Sequence, residues 1–222
     1  MKILAIAPHP DDETLGCGGA LLRHKAEGDE VHWVVVTETH VPQWSAEFME
    51  RKALEVVTVS NAYGMTLVQK LGFPTIRLDG MPQSDLINGI RQSIEAVRPD
   101  VVYLVHDGDV HTDHHAVFTA AMSVLKTFYM KKWGVKRILS CETLSSTEAA
   151  PPQPHRLFVP NVYLDITPYM ERKIEIMGMY LTESQPDPFP RGPGAIRALA
   201  RYRGASIGVN YAEAFMLIRE VL

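Results

Sequence analysis

The sequence predicts one α/β domain built on a mostly parallel sheet with helices on both faces. Three observations predict it. Short apolar runs alternate with helix-patterned segments, which implies parallel strands joined by right-handed crossovers. The 222 residues are 46% hydrophobic and 22% charged, ordinary globular usage for a chain of about one domain. No internal repeat or low-complexity tract interrupts the alternation.

Lys2 to Ala7 reads as a buried strand, and Gly16 to Glu27 as a helix ended by Gly28. Glu30 to Thr37 is a second strand, followed by an amphipathic helix from Ala46 to Tyr63 that stops at Gly64. Thr75 to Leu78 is read as a short third strand. Ser84 is placed to cap a helix running to Val97. Val101 to Val105 is the fourth strand, His114 to Phe128 a helix, and Lys136 to Cys141 the fifth strand. A strand over Val162 to Asp165 and a helix from Pro168 to about Tyr180 complete the pattern. Leu181 to Gly194 is rich in Pro and Gly and too long for a tight turn, so it reads as an ordered functional loop.

Composition excludes several functions. The net charge of −4 argues against nucleic acid or an anionic membrane surface as partner. Two cysteines, Cys17 and Cys141, make no disulfide scaffold. The opening apolar run is broken by Pro8 to Asp12 and does not read as a signal peptide. No apolar stretch approaches the ~20 residues of a membrane span. The expectation is a soluble, cytoplasmic protein.

Two polar clusters follow strands. Pro8-His9-Pro10-Asp11-Asp12-Glu13 follows the first, and His106 to His115 follows the fourth. Ligands of open α/β sheets bind beyond the carboxyl ends of the strands, where strand order reverses. If the order is 3-2-1-4-5, the clusters face each other across one crevice. There His9, Asp12 and His114 offer two imidazoles and a carboxylate with an open fourth position, a recurring catalytic zinc set. The same set suits non-haem iron, whereas magnesium prefers oxygen ligands. Asp11 is the spare carboxylate, placed to take a proton from a water that a bound ion would acidify. His111, one helical turn before His114, is placed to stabilise an oxyanion or protonate a leaving group, with Asp113 orienting its ring. Either cluster alone also reads as a helix cap. Together, acids and histidines stacked in one crevice are destabilising unless something binds there. His106, Asp107 and His115 read as loop residues without a role. Gly16-Cys17-Gly18-Gly19 fails the GxGxxG spacing at Leu21 and reads as close helix–sheet packing rather than nucleotide binding.

The segments AIAPHPDDETLGCGGAL and DVHTDHHAV resemble the two metal motifs of the PIG-L/LmbE-like zinc deacetylases. The helix end Ala62-Tyr63-Gly64, CETLSSTEA, PNVYLDIT and YAEAF are similar to bacterial members, so the likeness spans nearly the whole chain. The resemblance implies a Rossmann-like sheet and zinc-dependent hydrolysis of an N-acetyl group on a glucosamine-type sugar or its conjugate, in carbohydrate biosynthesis. It implies His9, Asp12 and His114 as metal ligands, Asp11 as general base, His111 as oxyanion stabiliser and Asp113 as its partner. Members often carry a sugar-binding Arg three residues before a Glu. Here Lys52 holds that spacing to Glu55, and Arg51, one residue earlier, is the expected sugar ligand for its forked donors. Glu142 and Arg191 are further substrate candidates. Trp44 is expected to give a sugar face a stacking surface, or else to staple the following helix. Many bacterial members are homo-oligomers, and the sequence sets no number. Two other readings stay open: a zinc amidase acting on a non-sugar amide, and a sugar- or metal-binding protein without catalysis.

Overall fold

The computed structural model describes residues 1–222. Its elements are β1 (Lys2–Ala7), α1 (Asp12–Ala26), β2 (Glu30–Glu38), α2 (Ala46–Tyr63), β3 (Leu67–Pro74), α3 (Gln83–Val97), β4 (Val101–Val105), α4 (Thr112–Val124), α5 (Thr127–Trp133), β5 (Arg137–Cys141), β6 (Val162–Asp165), α6 (Met170–Met177), α7 (Pro193–Ala205) and β7 (Ala212–Glu220). The sheet order is β3-β2-β1-β4-β5-β7-β6. The first five strands are parallel in the order the sequence suggested, and β7 pairs antiparallel with both β5 and β6.

Side chains alternate across a strand, and here both faces are covered. Ile3, Ala5 and Ala7 of β1 enter one core cluster with residues of α1, α2, α6 and α7. Leu4 and Ile6 enter the other with α3, α4 and α5. A strand covered on both sides must be apolar throughout, which is why the central strands read clearly. Chain order reverses between β1 and β4, which pair side by side through Ile3↔Val101 to Ile6↔Leu104. The loops leaving their carboxyl ends therefore meet.

Four expectations need correction. The third strand is Leu67–Pro74, not Thr75 to Leu78. It lies at the sheet edge, so it carries Gln69 and Lys70 and lacks an apolar run. Thr75 to Leu78 instead turns, with Ile76 at φ 57, into a short 3-10 turn over Leu78–Gly80. Helix α1 begins at Asp12 and is interrupted at Cys17 (φ −142, ψ 19). Ser84 lies inside α3, whose N-cap position is Pro82. The helix expected from His114 to Phe128 is two helices, α4 and α5, with Lys126 in extended backbone between them. Two elements, α7 and β7, lie beyond those the pattern predicts. Helix α7 opens with Pro193 in its first turn, after Gly192 at the N-cap. It follows directly on the expected loop.

Candidate active site

The loop leaving β1 carries His9, Asp11 and Asp12, and the first turn of α4 carries Asp113 and His114 behind His111. The backbone amide of His9 donates to Asp12 Oδ2 at 2.8 Å, which fixes the turn. Asp12 lies between two imidazoles, 3.3 Å from His9 Nδ1 and 3.3 Å from His114 Nε2. One nitrogen from each of His9, His111 and His114 lies within 4.8 Å of the others. The sequence-predicted trio is thus brought together, and His111 joins it.

The rest of the geometry separates holders from actors. His114 Nδ1 is 2.7 Å from Asp109 Oδ2, so its proton stays on Nδ1 and Nε2 faces Asp12. A carboxylate behind a histidine is the usual outer support of a metal ligand. Sequence reasoning gave Asp109 no role. Its signal was an acid in the same polar run, five residues before a histidine. Asp113 does not orient His111 through its carboxylate. That carboxylate instead meets His9 Nε2 at 3.0 Å and accepts from the amides of Ile76 (2.7 Å) and Leu78 (3.4 Å). The contact with His111 runs the other way: the Asp113 amide donates to His111 Nδ1 at 3.2 Å, capping α4 with the imidazole. A ring that accepts at Nδ1 carries its proton on Nε2, which makes that nitrogen a donor.

The electrostatics favour a cation. Burial pulls His9 and His114 down, but Asp113 and Asp12 outweigh it for His9, raised to about 9. Asp12 and Asp109 likewise raise His114 to about 10. Burial opposes ionisation of Asp12, yet the two imidazoles hold it well below the usual carboxylate range. Three buried carboxylates around two imidazoles thus demand positive charge, here met by protons that a divalent ion would replace. Burial, reinforced by the charges of Asp12 and Glu183, pushes Asp11 up to about 8. Burial and the neighbouring imidazoles push His111 down to about 4.

His9, Asp11, Asp12, His111 and His114 form the floor of a cavity of about 390 Å³. Arg191, from the loop before α7, donates to Asp11 Oδ2 at 3.2 Å and also to Glu183. Glu183 is itself held by Lys52 of α2. Trp44 lines the cavity beside Lys52. Arg51 does not line it; its side chain is 53% exposed and reaches only Glu47, at 3.5 Å, because the helical turn rotates residue 51 outward. Glu142 also lies away from the floor. Its carboxylate takes two 2.7 Å bonds from Arg203 of α7, beside a small crevice against α1. Lys52 and Glu183 are among the cavity residues to which the sequence pattern assigns no role. For Lys52 the signal was its spacing to Glu55, whose buried carboxylate anchors the loop through Thr182.

A parallel sheet with two His/Asp clusters meeting at its reversal point defines a metal-dependent α/β hydrolase type of site. Residues 4–125 match the family model described as PIG-L, GlcNAc-PI de-N-acetylase, and the chain belongs to the PIG-L deacetylase family. It is 31% identical over 157 residues to the uncharacterized deacetylase YaiS of Escherichia coli, across 68% of this chain and 78% of that protein. It is 29% identical to the crystal structure of the conserved protein TT1542 from Thermus thermophilus, with a TM-score of 0.77 over 99% of this chain and 96% of the other. The N,N'-diacetylchitobiose deacetylase of Pyrococcus horikoshii shares the fold at a TM-score of 0.75 and 22% identity, over 98% of this chain and 83% of the other. No helix is long and apolar enough to cross a membrane.

Proposed function

We propose that this chain is a metal-dependent N-deacetylase that hydrolyses the N-acetyl group of an N-acetylglucosamine-type sugar or its conjugate. The observation that carries the reading is the meeting of His9, Asp12 and His114 beside a spare carboxylate, Asp11, on one cavity floor. The substrate class rests on the family and on the activity of the diacetylchitobiose deacetylase that shares the fold.

His9, Asp12 and His114 would hold the ion. Two imidazoles and a carboxylate suit zinc and also accept iron(II). When bound, the ion supplies Lewis acidity, which lowers the pKa of a water and polarises the amide carbonyl. Asp11 takes the proton of the attacking water and returns it to the leaving amine nitrogen, so the products are acetate and a free amine. Arg191 holds the Asp11 carboxylate in place. His111 donates its Nε2–H to the carbonyl oxygen as negative charge develops there. Lys52, rather than Arg51, meets the sugar hydroxyls, and Trp44 stacks on a sugar face.

The test is acetate release from N-acetylglucosamine conjugates by the zinc-loaded protein, with and without chelator. Chelation should abolish release. Asp11→Asn should keep its zinc and lose ~10²–10⁴-fold in kcat. Release that survives chelation, or a loss under about tenfold in Asp11→Asn, would overturn the assignment.

A further inference from the structure

We propose that the sugar processed here carries an apolar aglycone, an aryl or alkyl group that lies along α2 at the mouth of the cavity. This rests on the sugar-amide reading above and adds to it what is attached to the sugar.

The cavity is polar where it is buried and apolar where it opens. Its floor is Asp11, Asp12 and His114, each 5% exposed or less. On the β2 side, Phe48, Met49, Ala53 and Val56 of α2 line it, at spacings that place them on one face of the helix. Trp44 extends that face before the helix begins, and Phe48, Met49 and Trp44 are only half-buried. Val110, next to His111 on the facing side, is 51% exposed, and Leu144 stands near it. Val56 belongs to the core, but Trp44, Phe48 and Met49 gather at the rim of the polar pit outside it. They stay in water unless a ligand covers them.

Hydrogen-bonding capacity is arranged to match. On the α2 wall the one polar group is Lys52, and Glu183 occupies it. Arg191 is engaged by Asp11 and Glu183. A second sugar against this wall would lose water from its hydroxyls and find few partners, which is costly. The free hydroxyl groups sit across the sheet reversal instead, on Ser145 and Ser146 after β5, while Glu38 at the end of β2 and Lys70 of β3 also line the cavity. Hydroxyls of the reacting sugar are served there and at Lys52, while the apolar side chains of α2 are left for carbon.

The experiment compares phenyl and methyl N-acetyl-β-D-glucosaminides with the zinc-loaded full-length protein. It reads kcat/KM for each, and by calorimetry the Kd of the two corresponding glucosaminides. The phenyl compound should be favoured by about tenfold or more in both, the effect of covering roughly two methylene equivalents. Because the readout is a ratio within one protein sample, it is insensitive to the fraction folded. Phe48→Asn and Met49→Gln should each bring the ratio toward one, while Arg51→Ala should leave it in place. A wild-type ratio near one, in turnover and in Kd, overturns the apolar aglycone even if acetate is released from both sugars. A ratio that persists in Phe48→Asn with Met49→Gln removes α2 as its cause and overturns it equally. Absence of acetate release from any sugar amide would defeat the deacetylase reading instead, and the Kd ratio would still decide the aglycone.

Discussion

The two His/Asp motifs meet at one candidate site but are supported in opposite ways. The first holds its conformation with help from distant elements. Asp11 sits at φ 130, a region a side-chain-bearing residue seldom adopts. Its amide is held at 3.2 Å by the buried carboxylate of Glu13, which in turn accepts from Tyr180 at 2.6 Å. Helix α1 then breaks at Cys17, leaving backbone groups without helical partners. Lys173 of α6 takes the Leu15 carbonyl at 2.9 Å, and Glu213 of β7 takes the amides of Gly19 and Ala20 at 2.7 Å each. Lys173 and Glu213 pair at 2.7 Å, so one buried ion pair splices the broken helix. The second motif is mostly self-sufficient. His111 caps its own helix through the Asp113 amide, and Asp109 fixes His114 from five residues away. The comparison teaches that damage in the last quarter of the chain reaches the first motif and spares the second.

The largest expected effect tests that splice. Lys173→Met leaves the Glu213 carboxylate buried without its cation and should destabilise the protein by about 3–5 kcal/mol in urea unfolding. Adding Glu213→Gln should recover part of that. A loss below about 1 kcal/mol in the single variant would mean that α1 holds its break without help, and the contrast between motifs would fall.

A second measurement separates chemistry from support inside the second motif. His111→Ala should keep its metal, by elemental analysis, and lose ~10²–10³-fold in turnover, the usual result of removing one oxyanion donor. Loss of the metal instead would make His111 a ligand and undo the donor assignment drawn from its Nδ1 contact.

Asp109→Asn should weaken metal binding by about 10–100-fold in a competition titration, as outer supports of ligands do. Fold stability in the same sample should change far less than in Lys173→Met. Equal losses in the two variants would show that the second motif is no more self-contained than the first.

The smallest effect concerns the wall near the first motif. Arg51→Ala should leave kcat/KM within about twofold, as surface substitutions usually do, while Lys52→Ala should raise KM. The reverse pattern would return the sugar contact to Arg51.

How far the sequence could be read follows burial. The strands of the sheet centre are apolar on both faces, so β1, β2, β4 and β5 announce themselves. Edge strand β3, half-exposed and interrupted by Gln69 and Lys70, does not, and the local pattern points to the turn after it instead. Strand β7 carries a buried Glu213 in an otherwise apolar run, a signal of a satisfied carboxylate whose partner no local pattern reveals.

At the candidate site, residue types and spacing point to His9, Asp11, Asp12, His111, Asp113 and His114, because metal and proton chemistry demand particular atoms in a short stretch of chain, and the structure brings these residues together. Which neighbour each atom meets was a different matter. Asp113 turns to His9 and the Thr75–Leu78 turn, Arg51 turns out to solvent, Glu142 is taken by Arg203, and Arg191 reaches back to Asp11. Those outcomes depend on helix rotation and on segments 35 to 180 residues apart in the chain. The sequence by itself determined the fold class and the two strand ends at which the candidate residues gather, since these follow from local pattern and from the geometry of a parallel sheet. Only the tertiary structure decided the pairing of charges around them, because a buried carboxylate or cation takes whichever partner packing brings within about 3 Å, and chain order places no such constraint.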